Sequence, residues 1–382
     1  MKKTLLAAAL FAGFAGFAGA AQAETQVTLY GILDTGIEFL NIKTASGSAQ
    51  PSYNSVGLES GNQSGSRWGM KGTEDLGNGT QAFFTLESGY NLTSGQSAQG
   101  GRLFGRRAYM GLQNPSWGMF RVGRGPTIST DMFQSAATDP FAYGWGPFNL
   151  GNVATSINTY RTDNQLGYES PVFAGFQVGG SYSFNVDNTN TETSGIGKPL
   201  TDRAQGFDIA GTYTNGPLFL GVTYGQTNPY AASSATSGKV RQVVLTGSYD
   251  FTVARVYASY VRGWNGLVGG DAGVTMGAGG VTGITLPSGN YYYDGMKQNA
   301  FEVGVTVPVG TATSLMASYQ HQTLAGGGYT GNGSAMNELG VGALYSLSKR
   351  TNLYGVVGYV NGVGNISGQK ETAAIVGLRH QF

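Results

Sequence analysis

Two histidines, His321 and His380, and no cysteine are the whole supply of these metal-binding and nucleophile-activating side chains in 382 residues. A serine triad would have to be built on one of the two, and no Gly-x-Ser-x-Gly turn accompanies either. The sequence also lacks a phosphate-binding glycine loop and a two-histidine metal spacing, and the Asn- and Asp-rich stretch 187–192 lacks the full calcium-loop pattern. Neither an enzyme nor a metal or cofactor site is expected. What the sequence offers instead is spaced charge. Arg67 and Lys71 lie four residues apart with Gly69 between them, so an extended chain carries both on one face and Trp68 and Met70 on the other. Side chains placed in this way break no bonds; they impose a field on whatever passes them.

The elements that position such charges must then be strands. In 27–39, Val27, Leu29, Leu33, Ile37 and Phe39 fall on one face and Thr28, Tyr30, Asp34 and Glu38 on the other, a period-2 run longer than the 5 to 6 residues usual in globular proteins. The same alternation predicts strands over 81–90, 176–184, 205–214, 218–226, 242–249, 252–264, 299–307, 313–322, 337–347, 351–361 and 371–382. Short connections carry turn residues, at 75–79, 114–116, 215–217, 250–251, 308–310 and 348–350. Long polar ones, expected as loops, cover 43–60, 187–203, 231–238, 265–295 and 324–335. Turns sorted to one end and loops to the other describe an up-and-down sheet rather than a Greek-key sandwich.

Composition narrows the setting. There are 64 glycines, 12% aromatic residues and only 11% charged ones, against about 25% charged in a typical soluble domain. No Gly-X-Y period appears, and 40% apolar residues are too few for a helical membrane bundle. Lys2 and Lys3, an apolar run over 5–21 and the small-residue site Ala21-Gln22-Ala23 read as a secretory signal peptide over 1–23, leaving 24–382 as one exported domain. Without Lys2 and Lys3, the 22 basic residues fall to 20 against 21 acidic, a balance that excludes a nucleic-acid footprint.

After residue 24 no apolar run reaches the roughly 18 residues of a spanning helix. A sheet that crosses a membrane must close, because each unpaired edge group in hydrocarbon costs several kcal/mol. At roughly 45 residues per hairpin, the exported chain makes about 16 strands, with 14 or 18 as alternatives. The predicted fold is therefore an all-β transmembrane antiparallel β-barrel of about 16 strands, too wide for side chains to fill. The different-class alternative is an exported β-rich adhesin or binding domain. Against it stands the last strand, on which Ala374, Val376, Leu378, His380 and the terminal Phe382 share one face.

Particular segments carry a resemblance. Val27-Thr28-Leu29-Tyr30-Gly31, the run from Ser66-Arg67-Trp68-Gly69 to Asp75-Leu76-Gly77, Arg106-Arg107-Ala108-Tyr109-Met110-Gly111-Leu112, Val122-Gly123-Arg124, 164–171 and the closing Gly377-Leu378-Arg379-His380-Gln381-Phe382 occur in the order found in the general porin family of Gram-negative outer membranes. The sequence resembles the branch of that family ending Gly-Leu-Arg-His-X-Phe. The resemblance implies a 16-stranded homotrimer in the outer membrane, a third loop folded into the lumen as a constriction, and passive diffusion of small hydrophilic solutes and ions. It also implies contact with outer-membrane lipid and lipopolysaccharide, and recognition of Phe382 as an assembly signal by the barrel assembly machinery. A substrate-selective channel on the same barrel is the nearest alternative.

The same resemblance maps a basic wall onto Arg67, Lys71 and Arg106. Charges on a mid-membrane lipid face cost about 2 to 4 kcal/mol, so these are expected in the lumen. With Arg106 inward, its neighbour Arg107 is expected to face a second subunit or an interface. Arg161 shares a face with Asp163, Gln165 and Glu169, and Arg124 closes the segment before the expected constriction loop, 125–157. On the acidic side stand Glu87, sharing a strand face with Thr85, and Asp131 and Asp139 in the loop. A basic wall facing an acidic loop would make a transverse field, and the excess of base predicts a weak anion preference. Tyr90, Tyr109, Tyr168, Tyr249, Tyr260, Tyr345, Tyr359 and Phe382 are expected in interfacial girdles.

Overall fold

In a computed structural model of the chain, the described residues are 26–45, 52–134, 138–141, 161–186, 205–228, 239–267, 291–326 and 335–382. The expected signal peptide 1–23 and loops 187–203 and 231–238 lie outside them, as does most of 265–295. The strand segments are β1 (Gln26–Lys43), β2 (Tyr53–Ser60), β3 (Arg67–Gly77), β4 (Thr80–Gly89), β5 (Arg107–Asn114), β6 (Gly118–Pro126), β7 (Arg161–Glu169), β8 (Phe176–Ser183) and β9 (Gln205–Asn215). They continue as β10 (Leu218–Asn228), β11 (Val240–Asp250), β12 (Arg255–Leu267), β13 (Tyr291–Val309), β14 (Thr313–Ala325), β15 (Met336–Ser346), β16 (Thr351–Asn361) and β17 (Lys370–Gln381). Among the described residues one α-helix, α1 (Ile128–Gln134), follows β6.

From β3 onward, each strand pairs antiparallel with the next, and β17 returns to β1 in a register running from Ile32 opposite Gln381 to Lys43 opposite Lys370. That last pairing closes the barrel and removes both sheet edges. β2 and β3 occupy the other side of β1 in series, β3 along Gln26–Ile32 and β2 along Thr35–Ile42. Together they are one interrupted wall strand, so the seventeen segments make a 16-stranded barrel. The expectation of a loop over 43–60 is corrected here, because its last eight residues, Tyr53–Ser60, are β2. Its outward apolar side chains are only Val56 and Leu58, too few to register as a period.

Alternation works in reverse of a soluble sheet. Thr223, Gln242, Thr246, Ser259, Gln298 and Gln320 point inward and are buried, while Leu220, Val222, Leu245, Phe301, Leu339, Val357 and Val376 point outward and are exposed. An apolar outer belt around a polar interior suits a lipid surround. Replacing Leu245, at the middle of β11, by Arg is expected to destabilise the barrel by about 2 to 4 kcal/mol. Urea unfolding in lipid vesicles measures this, and an unchanged midpoint would place Leu245 away from lipid.

Apolar packing is found inside the barrel as well, where the chain after β6 meets the wall. Ile128 of α1 sits against Gly167 and Gly179, and Phe133 against Gly221, all on inward faces. Farther round, Pro140 lies on Gly304 and Phe141 on Gly342. A Cβ at Gly304 would come within 2.5 Å of the Pro140 ring, so only glycine lets the segment lie this close. Ile128, Met132, Phe133 and Phe141 join Met316, Met336, Val356 and Ile375 in the buried apolar cluster.

Candidate functional site

The interruption between β2 and β3 prepares the site. Asp34, buried on the inward face of β1, accepts hydrogen bonds from the Ser64 amide at 2.6 Å and the Tyr354 hydroxyl at 2.6 Å, and its backbone N–H donates to Ser66 Oγ at 3.1 Å. Gly61 makes the bend with a φ of +80°, a conformation costly for any residue with a Cβ. The bend then holds Arg67 by its guanidinium, which donates from Nε to the Gly65 carbonyl and from a terminal nitrogen to Ser64 Oγ, both at 2.8 Å.

Around Glu87 the charges converge. Glu87 is 3% exposed on the inward face of β4. Its Oε1 accepts from Arg106 Nε at 2.7 Å and lies 4.0 Å from both Arg67 and Arg107, and its Oε2 accepts from the Tyr30 hydroxyl at 3.0 Å. Lys71 stands over the Tyr30 ring, 5.7 Å from its centre. The expected grouping of Arg67, Lys71, Arg106 and Glu87 is thus met in space.

A second knot ties α1 to the wall. Arg107 grips Asp131 with both terminal nitrogens, at 2.7 and 3.2 Å, and Arg121 of β6 pairs with the same carboxylate. Burial alone would raise the Asp131 carboxyl, but the guanidiniums of Arg121 and Arg107 outweigh it and hold the group below the ordinary carboxylate range. Arg107 therefore faces inward, contrary to expectation. β5 begins at Arg107, so Arg106 lies before the strand and strand alternation does not send the two in opposite directions. Tyr109, expected in a girdle, also points inward, its ring under Arg121 at 4.9 Å and under Arg107 at 5.9 Å.

A third group lies beside these. The β6–β7 register shifts between Gly123 and Gly125, a bulge that re-aims Arg124 toward Asp163 at 2.6 Å and the Gly105 carbonyl at 2.8 Å. Arg102 reaches the other oxygen of Asp163 at 3.3 Å. Arg161 is buried at the start of β7, in register with Pro126. Asp139 stands elsewhere, in the buried turn whose Pro140 and Phe141 pack on β13 and β15, and it accepts from the Phe141 amide at 2.5 Å. Of the three expected acids, two meet the basic wall. Arg121 and Arg102 add to the expected set. For Arg121 the sequence does hold a signal, because it alternates with outward Phe120 and Val122.

Along this arc Arg67, Lys71, Arg102, Arg106, Arg107, Arg121 and Arg124 gather around Glu87, Asp131 and Asp163, and Glu169 lies within electrostatic reach of Arg121 and Asp131. The groups hold one another in place as a fixed cluster of charge.

The profile of a family described as Gram-negative porin matches residues 6–365. The chain is 42% identical to an outer membrane porin protein of Bordetella pertussis and 30% identical to outer membrane porin protein 32 of Delftia acidovorans, in each case over the full length of both chains. Among solved structures, the anion-selective porin from Comamonas acidovorans superposes with a TM-score of 0.69 at 26% identity, covering 94% of this chain and 100% of that one.

Proposed function

The chain belongs to the Gram-negative porin family and is an outer-membrane diffusion channel, and we propose that its narrowest section is the arginine-lined arc around Glu87 and Asp131. In this reading the described stretch of the expected constriction loop, Ile128–Gln134, narrows the lumen, with 142–157 lying outside the described residues, and Arg67, Lys71, Arg102, Arg106, Arg107, Arg121, Arg124 and Arg161 form the basic wall. Small hydrophilic solutes and ions pass by diffusion, with a weak preference for anions. The observation that carries the reading is the double grip on Asp131. Both of its oxygens are occupied by guanidiniums, so the loop's acid is neutralised where it meets the basic wall. The anion-selective character of the Comamonas porin supports the same sign.

The energies required are small. A tenfold preference takes about 1.4 kcal/mol, and one unit-charge contact at 4 Å in water supplies about 1 kcal/mol. The preference is expected to fade at high salt, because the screening length falls from about 10 Å at 0.1 M to about 3 Å at 1 M. In planar bilayers under a salt gradient, the zero-current potential of the parent channel should carry the sign of anion permeation, and cation permeation would contradict the reading.

The channel is further proposed to work as a homotrimer, delivered by the barrel assembly machinery. The free edge of β2, which pairs only with β1 among the described residues, supports a second copy at that face. Val56 and Leu58 there are 69% and 64% exposed.

A further inference from the structure

Three strands along the wall from β6, an acid stands with no base beside it. Asp208, 5% exposed on the inward face of β9, has no arginine, lysine or histidine nitrogen within ion-pair distance among the described residues. Burying a carboxylate is costly unless hydrogen bonds replace the water it loses. The donors here come from α1 and β8. Asp208 Oδ2 accepts from the Ser129 amide at 2.8 Å, its Oδ1 accepts from the Ser181 hydroxyl, and Ser181 Oγ in turn accepts from the Ile128 amide at 3.4 Å. Ser181 and Asp208 are cross-strand neighbours in the β8–β9 register. The first amides of a helix have no carbonyl partner within it, so the wall carboxylate and the start of α1 each supply what the other lacks.

The contact bears on position more than on packing. α1 has seven residues, too few to hold a helix by its own hydrogen bonds. Its apolar side chains rest on bare glycine, Ile128 on Gly167 and Gly179 and Phe133 on Gly221. Apolar burial is non-directional, so a helix on such a floor can slide or roll. Hydrogen bonds fix a register. The Asp131 knot fastens the middle of α1 toward β5 and β6, and Asp208 fastens its first turn toward β9. One tether leaves a short helix able to swing about it, whereas two tethers on opposite sides set both its place on the wall and its direction.

We infer that Asp208, oriented by Ser181, is a positioning residue for conduction: it holds the first turn of α1 where the helix sets the width of the lumen. The inference rests on the reading of α1 as the element that narrows the pore. Asp208 acts through the helix rather than on the permeating ion.

The chain has no cysteine, so one introduced thiol can report on α1 alone. Thr130, on α1 and 0% exposed, is changed to cysteine in the full barrel, and the rate of its modification by a small charged thiol reagent measures how often α1 leaves the wall. On this background Asp208→Ala should raise the rate about tenfold, since a buried amide and a buried hydroxyl lose the acceptor they share. Its single-channel conductance should be larger and noisier. Asp208→Asn loses the same charge but keeps an acceptor at the same reach, so its rate should stay within about twofold of the Thr130→Cys barrel. A difference between the two variants therefore reads position and not charge. A heat-modifiable gel shift identifies the barrels that fold. If Asp208→Ala does not fold, Ser181→Ala decides, with a rise of about threefold expected. An unchanged rate in the deciding variant overturns the inference, and so does Asp208→Asn reacting as fast as Asp208→Ala. A raised rate with parental conductance upholds the anchor and contradicts α1 as the narrowest point.

Discussion

Deleting Phe382 is expected to remove most of the folded barrel while leaving the amount of chain made unchanged. The residue completes the seam. Its backbone N–H donates to the Gly31 carbonyl and its carbonyl accepts from the Gly31 amide, both at 3.1 Å, beyond the end of the β1–β17 register. Its ring lies over Gly31, where even a Cβ would collide with it. Closure satisfies the strand-edge groups that hydrocarbon would otherwise penalise by several kcal/mol each, so losing the last pair weakens the step on which insertion depends. The heat-modifiable fraction of outer-membrane protein reads the effect, with deletion of Gly95 in the connection after β4 as the control. Equal folded fractions for the two deletions would mean that Phe382 is dispensable.

Asp131→Asn is expected to release α1 from the wall. The change removes one charge from a knot in which the Arg121 and Arg107 side chains are 3% and 22% exposed, leaving two guanidiniums without the carboxylate they share. Breaking a buried pair from one side costs about 3 to 5 kcal/mol. The packing of Ile128 and Phe133 on glycines holds the helix only in part, so its position should fluctuate. Single-channel recordings should show a larger and noisier conductance together with a stronger anion preference, since a negative charge has gone. Conductance identical to the parent would show that α1 does not limit the pore.

Much of the barrel is legible in the amino-acid sequence. Alternation bounds strands 205–214, 218–226 and 351–361 to within two residues of β9, β10 and β16, because lipid outside and water inside reward a strict period of two. Segments where the wall departs from that regime are harder to read. β2 escapes the pattern because only Val56 and Leu58 mark its outer face. The expected direction of Arg107 fails because alternation does not extend across Arg106, one residue before the strand begins. Arg124 owes its direction to a bulge at Gly123–Gly125, which no local pattern announces. The Asp34 contacts that hold the Arg67 bend join residues 30 and 320 positions apart in the chain, a distance over which periodicity carries no information.

The zero-current potential across a planar bilayer, measured in a tenfold salt gradient for the parent and for a variant with Arg67→Gln and Arg106→Gln, tests the arginine-lined constriction most directly. The arrangement around Glu87 predicts an anion-permeation sign for the parent and a shift toward cations in the variant, because removing two basic groups leaves Glu87 without its nearest partner at 2.7 Å. Lys349→Gln, at the opposite end of the barrel from the loops, should leave the potential unchanged. The same potential for parent and double variant would mean that these arginines do not line the narrowest section.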